Sequence, residues 1–261
     1  MLTGRKDGFV GSDPDTKISG YFNPSESEHD TFVIGHTSTS VSLAAGVAKA
    51  RDLKGEKHNV IALIGDGSLS GGEAYEGLNN AAVLGSNIII VVNDNEMSIA
   101  ENQGGLYKNL ELLRKTKGKA ELNFFKTFGF EYFYAEEGND IKTLIEVFRK
   151  VKDTDKPTVV HIHTLKGKGY APAVENKELG HWALAGFMDN NQSGGYQESY
   201  ESVTNNYILE KQKEDKTIML ISPATPGATG FGQDFRKKLY GCRNCGRACH
   251  RLFFGACKKR V

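Results

Sequence analysis

Apolar residues in this chain come in short unbroken runs, separated by segments in which they recur every three or four positions. Val60-Ile61-Ala62-Leu63-Ile64 is one run and leads into Gly65-Asp66-Gly67. Ile88-Ile89-Ile90-Val91-Val92 is another and leads into Asn93-Asp94-Asn95. Runs of this length read as strands buried on both faces, the signature of a parallel sheet. Between them, Ala74, Tyr75, Leu78, Ala81 and Ala82 share one face of a helix expected over 71–84. Together these make a βαβ unit, expected to cross over right-handed. Small residues predict a helix over 38–50, with Thr37 or Ser38 as its N-cap and free N–H groups near His36.

The pattern then predicts helices over 124–128 and 140–151 and strands over 132–134 and 158–163. The last strand runs into Lys166-Gly167-Lys168-Gly169-Tyr170. Residues 4–30 are polar and aperiodic and read as a long loop, the kind that lines or covers a site. Asn190–Gly195 (NNQSGG) reads as a linker, 200–213 as a helix and 217–222 as a strand. No internal repeat is present. Strands alternating with helices predict an α/β fold, a doubly wound, mainly parallel sheet with the beginning of a second α/β domain.

Composition changes this picture at one end only. Across 261 residues, 39% hydrophobic and 25% charged, with a net charge of +1, the chain has the makeup of a globular protein. No apolar run is long enough for a membrane span, and no apolar stretch follows the N-terminal Met-Leu-Thr-Gly-Arg-Lys, which argues against a secretory signal. The last 26 residues, however, hold nine Lys or Arg and no Asp or Glu, leaving 24 basic against 32 acidic residues before them. All four cysteines (Cys242, Cys245, Cys249, Cys257) lie in this tail, and a body free of cysteine suits a cytoplasmic protein. Cys242-x-x-Cys245 with Cys249, His250 or Cys257 could form a zinc site, the cysteines a redox pair, the charge a nucleic-acid surface, or the whole an unstructured cationic tail.

The chemistry gathers at two strand ends. Ligands of open α/β sheets sit beyond the carboxyl ends of the strands. Asp66 and Asn95 are 29 positions apart, the span of one βαβ crossover, so adjacent strands can aim both side chains at one point. A carboxylate with an amide oxygen is a hard-oxygen set suited to Mg²⁺, which completes its octahedron with phosphate oxygens and water. Gly67 and Ser68 open the next helix, where N–H groups favour an anion. Either motif alone is ordinary turn chemistry; together they read as a Mg²⁺–diphosphate site.

NDNEMSIAEN, IGDGSLSGGEAYEGLNNA, GHTSTSVSLAAG, HTLKGKGYAPA and LTGRKDGF resemble the 1-deoxy-D-xylulose-5-phosphate synthase family, from the first residue to about Lys238. The family is transketolase-like, uses thiamine diphosphate and Mg²⁺, and serves isoprenoid precursor synthesis. The resemblance implies that Asp66 and Asn95 bind Mg²⁺ through side-chain oxygens and Met97 through its carbonyl. It implies that Gly67 and Ser68 contact the diphosphate, that Gly35, His36 and Thr37 lie at the cofactor, and that Tyr170 touches it. Lys166 would neutralise phosphate charge. His36 and His181 are the candidate catalytic residues, although His36 could equally cap the following helix. His161 and His163 read as structural. The implied substrates are pyruvate and glyceraldehyde 3-phosphate, and the implied assembly is a homodimer, with nucleic acid and membrane not expected as partners.

Under this resemblance, 1–189 is the diphosphate domain without its N-terminal part, 190–198 a linker, 199–238 the start of the pyrimidine domain and 239–261 a foreign tail. The absent first strand should leave apolar surface uncovered. The family's activating glutamate lies in a GIAEEH motif, which the chain does not show. Assigning permitted codons from Gly241 onward and dropping the first base gives Asp-Val-Gly-Ile-Ala-Glu-Glu-His-Ala-Ile-Ala-Phe-Phe-Ser-Gly-Leu-Ala-Lys-Asn. The tail is therefore expected to be a frameshift product and the chain to be inactive alone. Other readings are one subunit of a split transketolase-like enzyme, a paralogue with another sugar phosphate (GHWALAGFMDN is unusual for the family), or a zinc- or nucleic-acid-binding protein.

Overall fold

The structure, a computed structural model, describes residues 4–10, 18–99, 101–181, 199–215, 217–218, 220–223 and 239–242. The Asn190–Gly195 linker and the cysteines beyond Cys242 lie outside them. The chain divides into two units, 1–37 and 38–261.

In the first unit the expected long loop holds a short helix, α1 (Lys6–Val10). Its other described residues are joined by polar contacts. Buried Asp30 accepts from the Arg5 guanidinium and from the Asn23 N–H, the latter at 2.6 Å. Arg5 also pairs with Glu26 at 3.4 Å, and Phe22 bridges to Ile34.

In the second unit the first strands and helices follow the apolar pattern: α2 (Ser40–Leu53), β1 (Ile61–Gly65), α3 (Asp66–Leu69), α4 (Gly72–Val83) and β2 (Ile89–Asp94). Then come α5 (Gly105–Lys115), α6 (Phe124–Thr127), β3 (Glu131–Ala135), α7 (Ile141–Val151), β4 (Thr158–His163), α8 (Ala171–Glu175) and a 3₁₀ turn over Leu179–His181. β1 to β4 form one parallel sheet in the order β1-β2-β4-β3. Helix α9 (Tyr200–Glu214) is followed by β5 (Leu220–Pro223), which pairs in parallel with β6 (Leu239–Cys242). The sequence pattern does not predict α5 or α8.

The sheet is covered on both faces, as a doubly wound fold requires. Alternate residues of β2 separate the two cores. Ile90 and Val92 pack with α2, α4, α5 and α6 through Ala48, Leu78, Leu110 and Phe125. Ile89 and Val91 face α7 through Val147 and Val151. The α7 side is incompletely covered: Ile61 and Leu63 of β1 and Ile141 of α7 are exposed, and a cavity of about 370 Å³ lies among Ile61, Ile89, Leu144, Ile145 and Phe148.

The start of α2 departs from expectation. Neither Thr37 nor Ser38 caps it; Thr39 is the N-cap, with no side-chain cap bond. Ser38 is buried at φ +74°, and its hydroxyl donates to the Ser68 carbonyl at 2.7 Å, which ties the approach to α2 to α3. That closeness explains Gly71, where a Cβ would lie 2.1 Å from Ser38 Oγ.

Candidate functional site

β1 and β2 are adjacent and parallel, with Gly65 paired to Asn93, so Asp66 and the Asn93-Asp94-Asn95 segment emerge at the same end of the sheet. Asp66 is 1% exposed. It accepts the Gly67 N–H at 2.9 Å and the Asn102 side-chain N–H at 2.7 Å. The Gly67 N–H, expected to favour an anion, is bonded to Asp66. Asp66 opens the helix itself and takes that donor. Burial first, and then the charge of Asp94, push the Asp66 carboxyl up to about 7.

Asp94 has the opposite fate. It is fully buried, which by itself opposes ionisation, but bonds and charge from His161 and Arg114 outweigh this and hold it below the usual carboxylate range. Its Oδ2 accepts from Arg114 and from His161 Nε2 at 2.9 Å. Its Oδ1 accepts the Glu96 N–H at 3.2 Å.

Asn95 Oδ1 accepts the Met97 N–H at 3.2 Å in an Asx turn. An amide oxygen has a second lone pair, so this turn does not exhaust it. Glu96 sits at φ +68°, a conformation uncommon for a residue with a side chain. Its carboxylate meets Arg114 at 3.5 Å and His163 Nε2 at 3.1 Å. Met97 bridges antiparallel to Glu101. Beside this turn opens a cavity of about 560 Å³, lined in part by Asp94, Glu96, Met97, Asn102 and Arg114.

The turn after β4 joins the same neighbourhood. Lys166 Nζ donates to the Ser98 carbonyl and lies 3.0 Å from His181 Nδ1. Burial lowers the Lys166 pKa, while the charge of Asp66 works the other way. Partial burial and the Lys166 charge lower the His181 pKa, so a neutral imidazole accepts from the ammonium. Gly167 turns at φ +83°, where a Cβ would lie 2.7 Å from the Ala173 carbonyl carbon. This tight return places half-buried Tyr170 at the start of α8.

The structure thus brings Asp66, Asn95 and Met97 to one end of the sheet, and Lys166, Ser98 and His181 into contact. Gly35, His36 and Thr37 belong to the first unit and are exposed there; His36 Nδ1–H donates to its neighbour's carbonyl, Thr37 O, at 2.6 Å. Sequence reasoning missed Asp94, Asn102 and Arg114 as participants. A signal for Asp94 existed: counting in twos from Ile90 and Val92 puts it on the buried face, where a charge requires partners.

The donor set fits a magnesium ion. It offers a buried carboxyl whose pKa its surroundings raise, an amide oxygen and a backbone carbonyl, all hard oxygens. The side-chain oxygen of Asn102, bonded to Asp66 through its nitrogen, is buried without a hydrogen-bond partner. Among the described residues, no group of three His, Cys, Asp or Glu is placed to hold a metal.

The profile of the 1-deoxy-D-xylulose-5-phosphate synthase family matches residues 1–123 and 113–164, well over half of the chain. The chain belongs to the 1-deoxy-D-xylulose-5-phosphate synthase family. Its relatives bear that name. It is 37% identical over 279 residues to the synthase of Clostridium beijerinckii, covering 92% of this chain and 45% of that protein. It is 38% identical over 282 residues to synthase 1 of Geobacter metallireducens, covering 92% and 45%. It is 35% identical over 284 residues to the synthase of Porphyromonas gingivalis, covering 92% and 44%. The chain spans less than half the length of these curated relatives. No described helix is long and apolar enough to cross a membrane.

Proposed function

We propose that this chain carries the Mg²⁺–diphosphate half-site of a thiamine diphosphate-dependent 1-deoxy-D-xylulose-5-phosphate synthase. The whole enzyme joins the two-carbon unit of pyruvate to glyceraldehyde 3-phosphate with loss of CO₂, as a cytoplasmic homodimer in isoprenoid precursor synthesis. The observation that carries this is the buried Asp66 carboxylate at the end of β1, beside the Asn95–Met97 turn at the end of β2, in a chain of this family.

Asp66, Asn95 and the Met97 carbonyl would hold Mg²⁺, and the metal would hold the diphosphate. Gly35, His36, Thr37, Gly67, Ser68 and Tyr170 would contact the cofactor. Bound, the cofactor would supply the nucleophilic carbon that adds to the pyruvate carbonyl carbon. The chain's own residues do the rest. Asp66, desolvated and facing Asp94, gains its charge when a cation arrives. Lys166 would place a cation beside the anionic ligand, its ammonium held by the Ser98 carbonyl and His181. His36 and His181 are the proton-handling candidates, and the neutral imidazole of His181 already accepts from Lys166.

The family's GIAEEH motif is absent from this reading frame, and under the frameshift reading of the residues from Gly241 onward the chain alone would not turn over. Titration calorimetry with thiamine diphosphate tests the reading. Binding that requires Mg²⁺ and is lost in Asp66→Ala supports it. Binding indifferent to Mg²⁺, or unchanged in Asp66→Ala, rejects it.

A further inference from the structure

A buried polar chain crosses the sheet behind the site. The Tyr132 hydroxyl on β3 lies 2.8 Å from His161 Nδ1 on β4, and His161 Nε2 lies 2.9 Å from Asp94 Oδ2 on β2. His161 and Asp94 are both fully buried. The imidazole thus uses both ring nitrogens, one on the Asp94 carboxyl and one on the Tyr132 hydroxyl. Three aromatic rings fix the imidazole: Tyr134 and Tyr132 meet it edge-on at 5.2 and 6.0 Å, and Phe125 lies at 6.2 Å. Tyr132 is itself stacked on Phe125 at 5.8 Å. Asp94 thus has one orientation, with Oδ2 taken by His161 and Arg114 and Oδ1 aimed at the Glu96 N–H.

That last bond falls in the middle of the turn that carries Asn95 and Met97. Glu96 is there in the left-handed region, a conformation that persists only where the surroundings over-determine it. Nothing in the half-site chemistry requires a histidine and a tyrosine across two further strands. The packing alone does not need their polar atoms either, since leucine and phenylalanine would fill such a face without buried hydrogen bonds.

We propose that Tyr132 and His161 are positioning residues for the metal site: they orient Asp94, which holds the Asn95–Met97 turn in its ligating shape. This rests on the half-site reading above. Neither residue touches the metal; each acts through Asp94, as outer-shell partners of metal ligands do.

The test is Mg²⁺ affinity, measured by calorimetry at saturating thiamine diphosphate on the full chain, with melting temperature recorded alongside. His161→Leu removes both bonds and is expected to weaken Mg²⁺ binding by about 10- to 100-fold. His161→Gln, whose amide N–H can still donate to Asp94, is expected to keep most of the affinity. Tyr132→Phe keeps the ring and loses only the hydroxyl; it is expected to fold and to fall at the lower end of that range, so it decides the matter should His161→Leu fail to fold. Unaltered Mg²⁺ affinity in Tyr132→Phe overturns the proposal, whatever the melting temperature does, because a purely structural role would move stability alone. If the unaltered chain shows no Mg²⁺-dependent binding, the half-site reading has failed, and the positioning role falls with it.

Discussion

Two aspartates at neighbouring strand ends are driven in opposite directions by their surroundings. Asp94, answered by Arg114 and His161, stays ionised; Asp66, buried and facing Asp94, is pushed up to about 7. A carboxyl whose folded pKa lies above its unfolded value of about 3.9 favours folding most at low pH. The folded chain then holds the extra proton, and stability is lost as pH rises toward 7. The slope from this one group is at most about 1.4 kcal/mol per pH unit. Urea unfolding at pH 5 and pH 7.5, without metal, should therefore show a fall in stability that Asp66→Asn largely removes. Mg²⁺ should restore stability at pH 7.5 and do little at pH 5, where a proton competes for the same oxygen. Asp66 and Asn95 were legible because Gly-Asp-Gly and Asn-Asp-Asn close two apolar runs one crossover apart. Asp94, Asn102 and Arg114 were not, because what each does depends on where α5 and its approach fold back onto the strand ends.

At the scale of elements, the sheet and its main helices were legible wherever one period dominated. The runs at 60–64 and 88–92 became β1 and β2, and the 140–151 segment became α7, capped by Asp140, whose side chain accepts the Thr143 N–H at 2.8 Å. Helix α5 was missed although Leu106, Leu110 and Leu113 lie on one face, because charged and amide residues dominate the rest of GLYKNLELLRK. The missed helix is the one that delivers Arg114. Leu110 and Leu113 are fully buried, so Leu110→Ala should cost about 2–5 kcal/mol in urea unfolding. Ile141→Ala on the exposed side of α7 should change stability by about 0.5 kcal/mol or less. The N-cap of α2 was misplaced because the Ser38 hydroxyl is spent on Ser68, a contact between segments that local capping rules do not see. Gly71→Ala drives a methyl into that contact and should cost about 1–3 kcal/mol. The same substitution at exposed Gly72, whose Cβ would meet nothing within 4 Å, should be nearly neutral.

At the scale of the molecule, helices cover one face of the sheet well and the α7 face in part. Ile61 and Leu63 stand exposed beside the apolar cavity over α7. The charge asymmetry between the body and residues 236–261 was legible from composition alone; the pairing of β6 with β5 was not. The frameshift reading of the tail predicts that the gene's codons from Gly241 onward, read one base later, encode the GIAEEH segment. It also predicts that purified protein carries no zinc by elemental analysis and releases no CO₂ from pyruvate when supplied with thiamine diphosphate and Mg²⁺. The central claim is that the ends of β1 and β2 together hold a metal-bound diphosphate. The most direct measurement is a crystal structure of the chain grown with thiamine diphosphate and Mg²⁺. The account predicts one metal ion on an Asp66 carboxylate oxygen, the Asn95 side-chain oxygen and the Met97 carbonyl, with diphosphate oxygens completing its shell. A diphosphate bound without metal, or a metal held in the neighbouring cavity by Glu101 and Glu111 instead, would contradict it.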